Sequence, residues 1–361
     1  MINNCYIHIP FCKNICSYCD FCKLFYNEKL VDQYLEKLEK EISNIYRKEE
    51  LKTIYIGGGT PSCLNMKQLN KLFSITKKLR VSKDVEFSIE CNFDSINKEK
   101  LLLFKENGVN RLSFGLESTI DKNLKLLNRE ENCSRVQEII FYCRELGFKN
   151  INIDLMYAIP DETIKDLERD LNFILSLNVE HISTYSLIIE EHTKLYINQI
   201  KTIKEELDYE MYKIICNKLK NYHHYEISNF SKYGYESRHN MCYWKNKNYY
   251  GFGLGASSYI GNKIINNTRS ITKYLQNKTI LDMEILNKSD IMSYEMILGL
   301  RMLNGVNKES FYKKYNKDIY EVFDIKGLIS KDLLIDDGIN IYIPLDKMYI
   351  SNEILVNFIK E

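Results

Sequence analysis

The first half of the chain alternates two textures. Short runs rich in β-branched and aromatic residues occur at 6–9, 53–56, 85–90, 111–115, 150–155 and 181–187. Between them, apolar residues recur at three- and four-residue intervals. In 31–45, Val31, Tyr34, Leu35, Leu38 and Ile42 share one helical face, with charges opposite. The segments 69–79, 98–107, 134–146 and 163–177 behave in the same way, and a further helix is predicted over 203–221. Strand–helix alternation predicts a parallel sheet, because parallel strands need crossover connections. Six such units suit an open or closed barrel, which pattern alone does not separate from a flat doubly wound sheet.

After residue 221 the texture changes. Residues 222–259 are crowded with Tyr, His, Gly and Asn and have little periodicity. Their length and composition read as a functional loop region. From Ser289 helical spacing returns through Tyr294, Ile297, Leu298 and Leu300, followed by short strands around 333–343 and a last helix. The expected divisions are a barrel core at 1–221, a connecting region at 222–285, and a smaller, mainly helical, winged-helix-like domain at 286–361.

The first chemistry stands directly after the first strand, in Cys12-Lys-Asn-Ile-Cys16-Ser-Tyr-Cys19. Three thiolates in so short a loop, begun by Pro10, can reach one metal centre. Three ligands leave one iron of a [4Fe-4S] cube without a protein ligand. The amino and carboxylate groups of S-adenosylmethionine (SAM) can chelate that open iron. Zinc is the competing reading, but it prefers four ligands in paired C-x2-C hooks. Cys22 lies close by; as a fourth ligand it would close the cluster, and it is read as a bystander. The other seven cysteines are scattered.

Composition narrows the classes further. The 361 residues suffice for a barrel and an appendage. Fifty basic and 49 acidic side chains give a net charge of +1, against a large nucleic-acid footprint. No secretory signal is visible, and no run reaches the roughly 20 apolar residues that span a bilayer. With 11 cysteines, an odd number, a reducing cytoplasm is expected.

With Tyr6-Ile-His-Ile-Pro-Phe-Cys12 opening the cysteine run, the sequence resembles the radical SAM superfamily. Within it, the chain is similar to the branch of oxygen-independent coproporphyrinogen III dehydrogenase and the HemW-type heme chaperones. The resemblance spans nearly the whole chain. It implies an α/β fold, a partial (βα)6 TIM-like barrel, with Cys12, Cys16 and Cys19 holding the cluster. It further implies that Tyr6 touches SAM, Tyr18 contacts adenine, and Gly57, Gly58, Gly59 and Thr60 form the loop that binds the methionine amino group. Glu90 and Glu117 would contact SAM, Arg129 would pair with its carboxylate, and Asp154 would bind ribose hydroxyls. Chemically, an Arg fork suits a carboxylate, and an Asp accepts from a diol. The family usually has Gln where this chain has Glu117, which adds a negative charge near the pocket.

The stretch from Tyr225 to Trp244 carries His239-Asn-Met-Cys-Tyr243-Trp244, which resembles the H-N-x-x-Y-W element of the heme chaperones. Imidazole can ligate heme iron, and aromatic faces can cover a macrocycle. His239 is the candidate heme ligand; the plainer alternative is that His239 and Asn240 hold a loop against the barrel. Gly251 to Tyr259 matches a glycine-rich family loop, with Ser257 where His is common. The dehydrogenase carries an N-terminal extension, whereas this chain starts almost at its first strand, which favours the chaperone. The resemblance therefore implies a heme chaperone that binds heme, a [4Fe-4S] cluster and SAM. Its partners would be a heme-acceptor protein and, where SAM is cleaved, an electron donor. The alternative is oxidative decarboxylation of coproporphyrinogen III; whether the protein turns over as an enzyme is left open.

Overall fold

The structure, a computed structural model, describes residues 2–359. All six expected strands are present: β1 (Asn4–Ile9), β2 (Leu51–Gly58), β3 (Val81–Cys91), β4 (Arg111–Glu117), β5 (Ile151–Tyr157) and β6 (His181–Ser186). They pair in parallel, side by side in chain order. The crossovers run through α1 (Glu28–Ile45), α2 (Met66–Thr76), α3 (Lys98–Glu106), α4 (Asp121–Leu127), α5 (Cys133–Glu145) and α6 (Ile164–Ser176).

Alternation along each strand divides the sheet into two faces. Ile7, Ile9, Ile54, Ile56, Ile89, Leu112, Phe114, Ile151, Ile153 and Ile182 are buried in one core with Val31, Leu35, Leu72, Phe104, Ile139 and Leu171 of the helices. The other face is polar and lies in register across the strands. Tyr6 stands opposite Tyr55, Tyr55 opposite Ser88, and Ser88 opposite Arg111. One layer further on, Glu90, Ser113, Asn152 and His181 follow one another. Apolar residues outside under the helices and polar ones inside are what a barrel with a polar interior requires.

The region read as a loop is built of short elements. After α7 (Glu205–Lys218) come the hairpin strands β7 (His223–Glu226) and β8 (Asn229–Ser231), the helix α8 (Arg238–Trp244) and strand β9 (Tyr250–Phe252). Three to seven residues are too few to show a period, so the sequence pattern missed them. β8 joins the edge of β6 antiparallel, and β9 joins the edge of β1 in parallel. The barrel sheet therefore continues beyond residue 221. With nine strands in one open order, it is a partial barrel.

Helix α8 is tied to the barrel wall at its start. The backbone N–H groups of Arg238 and His239 donate to the Glu86 carboxylate at 3.0 and 2.9 Å. Beyond it lies a three-stranded antiparallel sheet of Ser257–Ile260, Lys263–Asn267 and Ile280–Ile285. The C-terminal part has its own core of Met292, Met296, Phe311, Phe323, Ile341 and Phe358. It combines short helices with a small antiparallel sheet of Val306–Asn307, Ile335–Asp336 and Asn340–Tyr342.

One buried carboxyl makes folding sensitive to pH. Glu162 accepts from the Ile159 N–H at 3.0 Å, and burial pushes its carboxyl up to about 8. The folded state thus holds a proton that the unfolded chain releases near pH 4.5. Its contribution is complete below the unfolded value and is lost as pH rises towards 8, by up to about 1.4 kcal/mol per unit. Glu162→Gln is expected to raise the melting temperature at pH 9 and to change it little at pH 5. Equal shifts at both pH values would show that Glu162 is not the titrating group.

Candidate functional site

The cysteine loop is clamped at both ends by the protein itself. Phe11–Cys12 pairs in parallel with Leu24–Phe25, closing the loop between them. Ser17 N–H donates to Leu127 O at 2.9 Å, and Asn128 Nδ2 donates to Ile15 O at 2.9 Å. Cys12, Cys16 and Cys19 are thereby presented at the C-terminal end of β1, where barrels of this kind build their sites. They line a cavity of about 480 Å³.

The same cavity gathers most of the residues singled out in the sequence. Tyr18, Gly58, Gly59, Thr60, Glu90, Glu117, Arg129 and Asp154 all line it. Gly57 does not line it but packs behind Glu90, where an added Cβ would meet the carboxyl carbon at 2.7 Å. Gly58 has φ +117°, and a Cβ there would stand 2.4 Å from His8 Cε1. The glycine run is thus enforced by the side chains packed against it.

The charges are buried and mutually held. Glu90 accepts from the Tyr55 hydroxyl and the Gly58 N–H, both at 2.8 Å, and burial pushes its carboxyl up to about 7. Arg129 lies 3.0 Å from Glu131 Oε1 and 3.8 Å from Glu117 Oε1, and its Nη1 reaches Cys16 Sγ at 3.5 Å. Its buried Nε has no partner. Burial raises the Glu117 carboxyl, with Arg129 opposing, and pushes Glu131 up to about 7. Asp154 accepts from Asn152 Nδ2 at 2.7 Å; burial raises it too.

These residues fit the groups the sequence suggests. No three His, Cys, Asp or Glu among the described residues converge on a single-ion position. A cubane takes one thiolate per iron, so separated thiols suit it better than one shared ion does. Burial pushes the Cys12 thiol up to about 11, and it accepts from the Thr60 hydroxyl at 3.7 Å. Iron would supply the positive charge that stabilises its thiolate. The orphaned Nε of Arg129 beside Cys16 suits an incoming carboxylate. Cys22 does not line this cavity; its Sγ lies 3.9 Å from Arg269 O.

Tyr6 and His239 border a second cavity of about 440 Å³, whose lining shares Tyr55, Gly58, Glu90 and Asn240 with the first. His8 Nε2 donates to Cys22 O at 2.7 Å, so its Nδ1 accepts from Tyr6 at 2.9 Å. His239 is 1% exposed and stacks on Tyr55 at 5.1 Å. The Thr53 hydroxyl donates to Asn4 and so accepts from His239 Nδ1–H at 2.8 Å. That leaves His239 Nε2 to accept from the Tyr243 hydroxyl at 2.7 Å. Burial holds the imidazole neutral, pushing it down to about 3. In this conformation His239 is a tie between α8 and β2, and iron ligation requires Tyr243 to release Nε2.

Glu131 and Tyr55 also belong to this ensemble and were not singled out as site residues; Arg111, on the alternating polar face of its strand, lines the cavity with them. Tyr55 had a signal: it alternates with Ile54 and Ile56, the period of a strand with one apolar face. Glu131 had none beyond its closeness to Arg129.

A cysteine loop after the first strand of a partial parallel barrel, facing a glycine turn and a buried Arg–carboxylate cluster, defines a radical SAM protein. The Radical SAM superfamily profile matches residues 6–174, and the HemN C-terminal domain profile matches 286–344. The chain is 39% identical to the heme chaperone HemW of Bacillus subtilis, over 100% of both chains. It is 35% identical to the heme chaperone HemW of Lactococcus lactis, over 99% of this chain and 97% of that one. The chain belongs to the HemW family. Its fold is that of the solved coproporphyrinogen III oxidase (HemN) of Escherichia coli, with TM-score 0.87 at 22% identity over 99% of this chain and 90% of that one. The superfamily implies a [4Fe-4S] cluster and SAM. Among the described residues, no helix is long and apolar enough to cross a membrane.

Proposed function

We propose that this protein is a cytoplasmic heme chaperone that binds heme, a [4Fe-4S] cluster and SAM and passes heme to an acceptor protein. The observation that carries the reading is end-to-end similarity, at 39% identity, to a relative named for that role. Residues 1–221 would hold cluster and SAM, 222–285 would face the heme, and 286–361 would form the C-terminal domain. Cys12, Cys16 and Cys19 would hold the cluster. Bound there, the cluster supplies an open iron for the amino and carboxylate groups of SAM and a route for one electron from a donor.

The protein's own groups do the rest. Arg129 meets the carboxylate with the Nε that has no protein partner. Gly58 and Gly59 let the backbone approach the ligand. Glu90 and Glu117 face the amino group and adenosine, Tyr18 covers adenine, Asp154 takes the ribose hydroxyls, and Tyr6 borders the adjoining second cavity. Heme would approach through the aromatic-lined second cavity, where His239 is the candidate ligand and Tyr243 the group it must exchange.

The test is a heme titration of the anaerobically reconstituted protein, with wild type and His239→Ala in parallel. A second arm supplies coproporphyrinogen III, SAM and reductant. Stoichiometric heme binding, weakened in the variant, without protoporphyrinogen is the expected result. Protoporphyrinogen together with 5′-deoxyadenosine would make the protein a dehydrogenase instead.

A further inference from the structure

Arg111 is the largest of the fully buried side chains, at 2% exposure, yet it lines the 480 Å³ cavity. Among the described residues its guanidinium makes no hydrogen bond and no ion pair, and its buried Nε is without a partner. A guanidinium carries five N–H donors and cannot shed its charge. Taking it out of water without a hydrogen-bonded anion is unfavourable, so such a group ordinarily has a partner in the working state.

The neighbouring carboxylates Glu90 and Asp154 feel the Arg111 charge, but their hydrogen bonds are made to other groups. Glu90 is held by Tyr55 and Gly58, Asp154 by Asn152, and Glu86 by the start of α8. The imidazoles around Arg111 are neutral. His181 donates through Nδ1 to Asn152 at 2.6 Å and accepts from Tyr225 at 2.8 Å, and His239 is similarly locked. Burial keeps both imidazoles uncharged, and the Arg111 charge adds to that effect.

The cavity thus has two arginines in two places. Arg129 stands against Cys16, beside the cluster loop. Arg111 starts from the first residue of β4, in register with Ser88, deeper in the barrel. SAM has one carboxylate, and the arrangement beside the cluster already suits it.

We propose that Arg111 is a second carboxylate-binding residue, holding an acid group of the ligand at the floor of the cavity. This rests on the heme reading in one respect: the two cavities share Tyr55, Glu90 and Tyr185, so a propionate of a tetrapyrrole in the second cavity is the acid that would reach across to Arg111. The other source of the same chemistry is the methionine carboxylate of SAM in a deeper pose.

Arg111→Met separates these cases, because Met keeps much of the side-chain length and removes the charge. Its unliganded melting temperature is expected to equal or exceed that of wild type, since an unpaired buried cation is lost. Equilibrium dialysis should show heme affinity falling by about tenfold to a hundredfold, the range of one charge-assisted hydrogen-bonded contact. Arg111→Lys should recover part of it. Heme dimethyl ester, with no free acid, should bind wild type about as weakly as heme binds the variant. SAM affinity should fall less than heme affinity. A loss confined to SAM would assign the same residue to the methionine carboxylate. Unchanged affinity for both ligands would overturn the proposal. So would a lowered unliganded melting temperature, which would make Arg111 the counter-charge of Glu90 and Asp154. Failure of wild type to bind heme would sink the chaperone reading and leave the SAM arm to decide Arg111.

Discussion

Replacing Cys12, Cys16 and Cys19 together by Ala is expected to abolish the iron–sulfur absorbance after anaerobic reconstitution. The three thiols are the only protein ligands proposed for the cube, so their loss leaves no iron held by the chain. Their loop is clamped independently by the Phe11–Cys12 and Leu24–Phe25 pairing and by bonds from Ser17 and Asn128, so the fold should survive. Cys22→Ala is the control. Its sulfur faces Arg269 O and not the cavity, so a full cluster should assemble. An intact spectrum in the triple variant would remove the assignment, and a lost cluster in Cys22→Ala would make Cys22 a ligand.

The second large effect is expected from Arg129→Met. Arg129 lies between Glu131 and Glu117, and the side chains of all three are at most 10% exposed. Removing one partner of a buried ion pair costs about 3–5 kcal/mol, because the remaining charge is left unsatisfied. Here the remaining groups can take up protons. Burial already holds Glu131 at about 7 and raises Glu117, and loss of the cation moves both higher. The folded variant then binds protons that the unfolded chain has released, so it is most penalised at high pH. Denaturant unfolding at pH 6 and pH 8 should show the larger loss at pH 8. SAM affinity, measured by dialysis, should fall at least about tenfold, since a charge-assisted bond to its carboxylate is removed. A pH-independent loss with SAM affinity intact would leave Arg129 a structural residue only.

The strands around Ile54, Ile89 and Ile153 were legible because one face of each meets helices and the other a polar interior. The helix at 238–244 was not legible. It has seven residues, and its position depends on Glu86, more than 150 residues earlier. His239 shows the same limit. Its type and neighbours suggested a heme ligand or a tie holding the loop to the barrel, but not that Thr53 and Tyr243 engage its two nitrogens in this conformation. Nothing near His239 in the chain announces Thr53, which stands 186 residues away.

By itself, then, the sequence determined what is encoded locally. Spacings of two and of three to four residues set strands and helices, and a cysteine run of eight residues set where a cluster would sit. The tertiary structure alone decided which charges meet. Strand register places Arg111 beside Ser88, and the open curl of the sheet brings α8 against β2 and Arg129 against Cys16. The reason is physical. A hydrophobic period depends on neighbours a few residues apart, whereas the charge and proton on a buried group depend on whatever the closed packing puts within a few ångströms.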